Sequence, residues 1–286
     1  SLGFGSGTGG AAAAAGFQID VRETEATIRA RTGDAVGVIA YGTDTYDLYV
    51  YDGSAWQSYL SSYKNTYSVA FDGADDYVDC GDDSSLEPAN ITISAWIKAS
   101  GSIATYNYIV GKLGAFHGTF YLRYRSSNKF NFFIGLGTFG ANIQGDSAST
   151  FTLTDWNHVV FTYDKVNIKL YVNGSEDFSQ AESRDILYFD ATSPYPGKDL
   201  YIGKGAFPSP AEGLIDEVSY FGSALSAADI TAMYNGGTPT DISSLNPISW
   251  WRMGEICGSS GTNIPDQGSA SNDGTLTNGP TFSTDV

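Results

Sequence analysis

The chain has 286 residues, 42% of them hydrophobic and 14% aromatic, enough to fill one large β core or a medium one with a small appendage. Its 15 basic residues against 32 acids give a formal charge of −17, which excludes nucleic-acid binding through phosphate neutralisation and fits a cation or a neutral partner such as a sugar. No apolar run approaches the roughly 20 residues that span a bilayer, so membrane insertion is excluded as an expectation.

Residues 1–16, "SLGFGSGTGGAAAAAG", are a low-complexity Gly/Ala-rich arm expected to be flexible. The arm lacks the charged and apolar regions of a secretory signal, so synthesis in the cytoplasm without a signal peptide is expected. Gly5, Gly7 and Gly10 match G-x-G-x-x-G, but no strand precedes them and the match reads as linker.

Residues 17–63 read as a small β module of three or four short strands. Val36, Val38 and Ala40 alternate against Ile39 and Tyr41, Leu48 and Val50 against Tyr49 and Tyr51, and Asp52-Gly53 turns the chain before Trp56. A meander of about 45 residues buries too little apolar surface to be comfortable alone. Tyr41, Tyr46, Tyr49, Tyr51, Trp56 and Tyr59 would give it an aromatic face for self-association, so a homo-oligomer is expected.

Residues 64–286 carry longer strands. "FDGADDYVDCGDD" places six aspartates between residues 71 and 83 in what reads as a strand and its turn. "ITISAWIKA" puts Ile91, Ile93, Ala95 and Ile97 on one face. "TFYLRYRSSNKFNFFIG" is a hairpin with Ser126 to Lys129 as its loop. "WNHVVFTYDKVNIKLYVNG" is another, with Val159, Phe161 and Tyr163 facing Ile168, Leu170 and Val172. "DLYIGKG" and "GLIDEVSYF" complete the set. One helix is clear: Ser226 caps it with Asp229 three residues on, Ile230 and Met233 line its apolar face, and Asn235-Gly236 stops it. Two antiparallel sheets with one short helix make an all-β jelly-roll sandwich. Cys80 and Cys257 are too few for a disulfide framework and read as small buried hydrophobes, with pairing as the alternative.

In order, "SVAFDGADDYVDCGDDSSLEPANITISAWIKA", "WNHVVFTYDKVNIKLYVNG", "LYIGKG" and "GLIDEVSYFGSALSAADITAMYN" resemble the laminin-G-like, concanavalin A-like jelly-roll family over roughly residues 67–235. The tail "SWWRMGE…IPDQGSASNDGTLTNGPTF" looks like the opening strands of such a domain moved to the other end of the chain. Residues 246–286 are therefore assigned to the same domain as completing strands. The resemblance implies non-catalytic binding of glycans or proteins, often with calcium. "RARTGDAVGVIAYGTDTYDLYVYDGSAWQSY" resembles anchoring modules of bacteriophage structural proteins, which implies a virion context, contacts with other virion proteins and, as in phage fibres and spikes, a homotrimer.

Asp72-Gly73 and Asp75-Asp76 bracket a turn that gathers hard oxygen ligands, a set suited to calcium; the alternative is that these acids only bond to turn N–H groups. The resemblance brings the "IDE" segment near this turn and so nominates Asp216 as a further ligand. Asp79, Asp82 and Asp83 read as solvated. A glycan site needs aromatic platforms with polar groups beside them. The loop candidates are Tyr106, Tyr108, Phe116, His117, Asn142 and Tyr195, with Phe139 and Phe207 behind them, while Trp96, Trp156, Trp250 and Trp251 read as core. Related glucanases carry their acids on one face of one strand. Glu212, Asp216 and Glu217 do not have that spacing, and neither His117 nor His158 has an evident catalytic partner, so no enzyme is expected. The resulting expectation is a virion surface protein whose jelly roll binds host-cell glycan. The alternatives are a purely structural decoration protein and a secreted bacterial adhesin or accessory module.

Overall fold

The computed structural model describes residues 21–42, 48–51, 53–54, 56–58, 63, 65–100, 106–113, 118–189, 199–205, 210–255 and 261–286. The expected arm, residues 1–16, lies outside them, as does Cys257. The chain divides into two compact units, Ser1–Lys64 and Asn65–Val286. Among the described residues no helix is long and apolar enough to cross a membrane.

In the first unit β1 (Val21–Glu23), β2 (Ile39–Gly42), β3 (Leu48–Tyr51) and β4 (Trp56–Ser58) form one sheet in sequence order, with β1 and β2 parallel. A helix absent from the sequence reading, α1 (Glu25–Ala30), precedes β2; Thr24 caps it through a 3.4 Å bond from the Thr27 N–H. Ile28, Ala40, Tyr49, Tyr51 and Trp56 form the unit's own core. This corrects the expected aromatic interface: Tyr49, Tyr51 and Trp56 are buried at 1%, 8% and 3% exposure. Six helical residues and four short strands have few other side chains with which to fill a core. Tyr41 is half-buried, and Tyr46 and Tyr59 lie outside the described residues.

The second unit is a sandwich. Its strands are β5 (Ser68–Asp72), β6 (Tyr77–Asp79), β7 (Ile91–Ala99), β8 (Tyr106–Leu113), β9 (Gly118–Arg125) and β10 (Lys129–Gly135). There follow β11 (Asn142–Asp146), β12 (Asn157–Tyr163), β13 (Asn167–Val172), β14 (Ser175–Ala181), β15 (Leu200–Ile202) and β16 (Glu212–Phe221). After α2 (Ala227–Tyr234) come β17 (Ser249–Trp251), β18 (Asn263–Ile264), β19 (Gly274–Thr277) and β20 (Thr281–Ser283). The front sheet runs β11-β10-β9-β8-β15-β6-β19-β18 and the back sheet β14-β13-β12-β7-β16-β5-β20, with β17 paired to β16. All pairings in this unit are antiparallel.

Period-two alternation fills the space between the sheets. Ile91, Ile93, Ala95 and Ile97 of β7 meet Phe120, Leu122, Phe130 and Phe132 of the front sheet in one core. The tail supplies Trp251, Met253, Ile264 and Leu276 to it. Cys80 is a free, buried thiol whose pKa burial pushes up. Ser226 and Asp229 close a capping box on α2, and Asn235 ends the helix in the left-handed region at φ 44°. The helix covers the outer face of the back sheet, where Tyr234 stacks on Trp96 at 5.9 Å and Ile230 packs on Val160 and Tyr171.

Candidate functional site

The alternation that sends Phe120, Leu122 and Tyr124 of β9 inward turns Tyr121, Arg123 and Arg125 to the outer face of the front sheet. On β10 the same rule turns Lys129, Asn131 and Phe133 outward, and on β11 Asn142, Gln144 and Asp146. β8 adds Tyr106 and Tyr108, after which its pairing with β9 slips by a bulge. Register fixes the rows. Asp146 lies opposite Asn131, Asn131 opposite Arg123, and Arg123 opposite Tyr108; in the next row Gln144, Phe133 and Tyr121 follow one another.

Arg123 is the hub. Its Nε donates to Asn131 Oδ1 at 2.7 Å and its Nη1 to the Tyr108 hydroxyl at 3.0 Å. Its guanidinium carbon lies 3.8 Å from the ring centroid of Tyr106 and 4.5 Å from that of Tyr121. Asn131 passes the order on, its Nδ2 donating to Asp146 Oδ1 at 2.6 Å, and Arg125 Nη1 donates to both Asp146 oxygens at 2.8 Å. Tyr121 stacks on Phe133 at 5.0 Å and 12°, and meets Tyr108 edge-on at 5.0 Å. Burial pushes the Tyr121 hydroxyl up to about 12, so it stays a neutral donor at any ordinary pH. Tyr106, Tyr121 and Phe133 are each half-buried, which leaves part of each ring to solvent. Further along the same face Tyr77 and Tyr201 meet edge-on at 5.5 Å, with Lys204 Nζ 4.0 and 3.7 Å from their centroids.

Tyr106 and Tyr108 therefore belong to a strand, not to a loop as expected, and Tyr108 is buried at 4% exposure. Asn142 is exposed at the start of β11, donating to Gly140 O at 3.1 Å on the edge of the same face. Phe116, His117 and Tyr195 lie outside the described residues. Sequence reasoning missed Tyr121, Arg123, Asn131 and Phe133 because it searched loops, and Lys204, just past β15, because it sought aromatic rings. The alternation in "TFYLRYR" already set Tyr121 and Arg123 on one side.

The acidic turn gathers Asp72, Asp75 and Asp76, whose carboxylate oxygens lie within 4.8 Å of one another. Asp76 is buried, accepts from the Asp72 N–H at 3.0 Å, and is held above the usual carboxylate range by burial and by its acidic neighbours. Carboxylate oxygens are the donor type that calcium takes, and Asp72 Oδ1 here accepts from the Ala74 N–H at 2.8 Å. Asp216 does not join them. Glu212 is the β16 residue opposite Asp72, and Asp216 lies four residues further, roughly 13 Å along the strand. There it pairs with Trp96, is buried, and accepts from Asn65 Nδ2 and the Glu217 N–H at 2.8 Å. Burial and the adjacent Glu217 raise its pKa.

On the back sheet, Ser94 Oγ and His158 Nε2 are 2.7 Å apart beneath α2, beside Glu217 at the β16 bulge with φ 47°. His158 Nδ1 has no partner among the described residues, and burial lowers the imidazole to about 3. Glu217 instead accepts from Trp250 Nε1 at 2.6 Å and Arg252 Nε at 3.1 Å. Among the described residues no acid orients the histidine, so there the serine and histidine lack the third group of a nucleophilic triad.

The profile of the Concanavalin A-like lectin/glucanases superfamily matches residues 72–231, more than half of the chain. No curated protein sequence matches it. Among solved structures, a Bacteroides ovatus protein provisionally described as carbohydrate binding superposes with a TM-score of 0.59 at 19% identity, over 88% of this chain and 71% of that one. A heptameric SAP-like pentraxin from Limulus polyphemus gives a TM-score of 0.47 at 17% identity, over 61% of this chain and 85% of that one. At such identities the likeness is one of fold.

Proposed function

Because the chain belongs to the concanavalin A-like lectin/glucanases superfamily, we propose that it binds glycan, without cleaving it, on the outer face of its front sheet. The observation that carries this reading is the platform of Tyr106, Tyr121 and Phe133, held in place by the Arg123–Asn131–Asp146 network. Sugar C–H faces stack on such rings, while Gln144, Asn142 and Asp146 stand beside them to take hydroxyls. The Bacteroides ovatus protein's provisional description points the same way. Tyr121→Ala and Phe133→Ala, on half-buried rings, should each abolish retention on an immobilised glycan panel while the melting temperature stays within a few degrees. Full retention by both variants would refute the site.

The setting we propose is a virion surface, as a fibre, spike or capsid decoration presenting this face to host glycan. It is supported by the likeness of residues 29–59 to phage anchoring modules. The chain would act there as a homotrimer, since linked copies multiply weak sugar contacts into avidity. A structural calcium ion at Asp72, Asp75 and Asp76 completes the proposal. A bracing protein would show no glycan retention at all, which is how the panel separates the two readings.

A further inference from the structure

Resting on that reading, we propose that the glycan is acidic: a carboxylate- or sulfate-bearing sugar chain crossing the front-sheet strands, its anions met by Arg123 and Lys204. Arg123 is only 5% exposed, yet no described carboxylate pairs with it. Its Nε and Nη1 are satisfied by neutral oxygens, and its Nη2 has no partner among the described residues. Buried charges are ordinarily paired, because an unpaired one loses its hydration with nothing to replace it. The Tyr106 and Tyr121 rings soften that cost without neutralising the charge. The neighbouring Arg125 shows the contrast, closed onto both oxygens of Asp146.

The field around the hub has the same sign. Arg123, Arg125 and Lys129 face outward on β9 and β10 against the single acid Asp146, a local balance of +3 − 1 = +2 on a chain of formal charge −17. A patch that opposes the charge of the whole molecule complements an anion. Lys204 lies over the Tyr77–Tyr201 pair with no described carboxylate in ion-pair contact, although Tyr201 donates to Asp199 at 2.8 Å and Asp79 lies opposite Tyr201.

Gly111 connects the two clusters. It lies opposite Tyr121 on one side and Tyr201 on the other, so the two tyrosines are two strand spacings apart, roughly 10 Å. A Cβ at Gly111 would stand 2.9 Å from Leu113 Cγ and 3.1 Å from Tyr121 Cβ. That space is filled by Leu113, and Gly111 is itself buried, so a sugar chain bridging the two ring-and-cation clusters would cross over the Leu113 side chain.

The test titrates the full chain with three oligosaccharides of equal length, an oligogalacturonate, a sulfated glucan and a neutral glucan, in low salt and in about 0.5 M salt. The expected result is an acidic probe bound at least ten-fold more tightly than the neutral one and weakened several-fold by salt. Binding of the galacturonate assigns a carboxylate and binding of the sulfated probe a sulfate; either supports the proposal. Arg123→Gln removes a buried hub and risks the fold, so the decisive variant is Lys204→Gln. It should weaken the acidic probe several-fold with no change in melting temperature. Equal or tighter binding of the neutral glucan overturns the acidic class and leaves glycan binding standing. Acidic binding indifferent to salt and to Lys204→Gln, or retained in Tyr121→Ala, overturns the placement. Binding of no sugar overturns both.

Discussion

His158 makes stability depend on pH in a way that one substitution isolates. It is fully buried beside Trp96 at 5.0 Å and Tyr234 at 6.3 Å, with Nε2 on Ser94 Oγ. Its imidazole is lowered from 6.5 to about 3 by burial. The unfolded chain takes up the proton near pH 6.5 and the folded chain only near pH 3. The contribution is thus fully present above the unfolded value and is lost as pH falls from there towards the folded one. Each unit is worth about 1.4 kcal/mol, so between pH 7.5 and 4.5 this one group should remove about 3 kcal/mol. Asp76 and Asp216, whose pKa values are raised, act in the opposite sense, gaining relative stability on acidification. They are shared with a His158→Gln variant and cancel in the comparison. Urea unfolding followed by tryptophan fluorescence at the two pH values should show the parent losing about 3 kcal/mol more than the variant. The variant should carry only a constant packing offset. Parallel losses, with a difference below about 1 kcal/mol, would refute the buried neutral histidine.

Ending the chain at Asn235 should abolish cooperative unfolding, since Trp251 and Met253 are fully buried and loss of Trp251 alone costs about 3–5 kcal/mol; a soluble, cooperative fragment would be incompatible with the shared core. Chelation should lower the melting temperature and calcium restore it more than magnesium does, with the response absent in Asp76→Ala; a shift that survives the substitution places the ion elsewhere. Light scattering should give a trimer for the full chain and a monomer for one beginning at Asn65, and a monomeric full chain would rule the assembly out.

What could be read from sequence was whatever a local period encodes. The hairpin at residues 157–172 pairs Val159 with Val172, Phe161 with Leu170 and Tyr163 with Ile168, as its alternation requires. The α2 cap was equally legible, because Ser226 and Asp229 carry the reciprocal bonds themselves. Helix α1 was not, for one buried apolar residue, Ile28, shows no period. The site was half legible. Alternation turns Tyr121 and Arg123 the same way, but their meeting with Tyr106 and Tyr108 depends on how β8 aligns with β9 around a bulge. Asp216 failed for a related reason: strand register, which no local pattern specifies, set Glu212 and not Asp216 beside Asp72.

The position of β5 and β6 in their sheets bears on how the chain leaves the ribosome. Val78 of β6 pairs with Ile202 and Leu276, and Val69 of β5 with Ile215 and Phe282. Both strands emerge early and find no partner until more than a hundred further residues have been made, on the order of ten seconds at ordinary elongation rates. Throughout that interval they are naked edges, each able to template pairing with a neighbouring nascent chain. Asp72, Asp75, Asp76 and Asp79 crowd that stretch. Whatever they hold in the finished domain, their mutual repulsion first keeps one waiting strand from another.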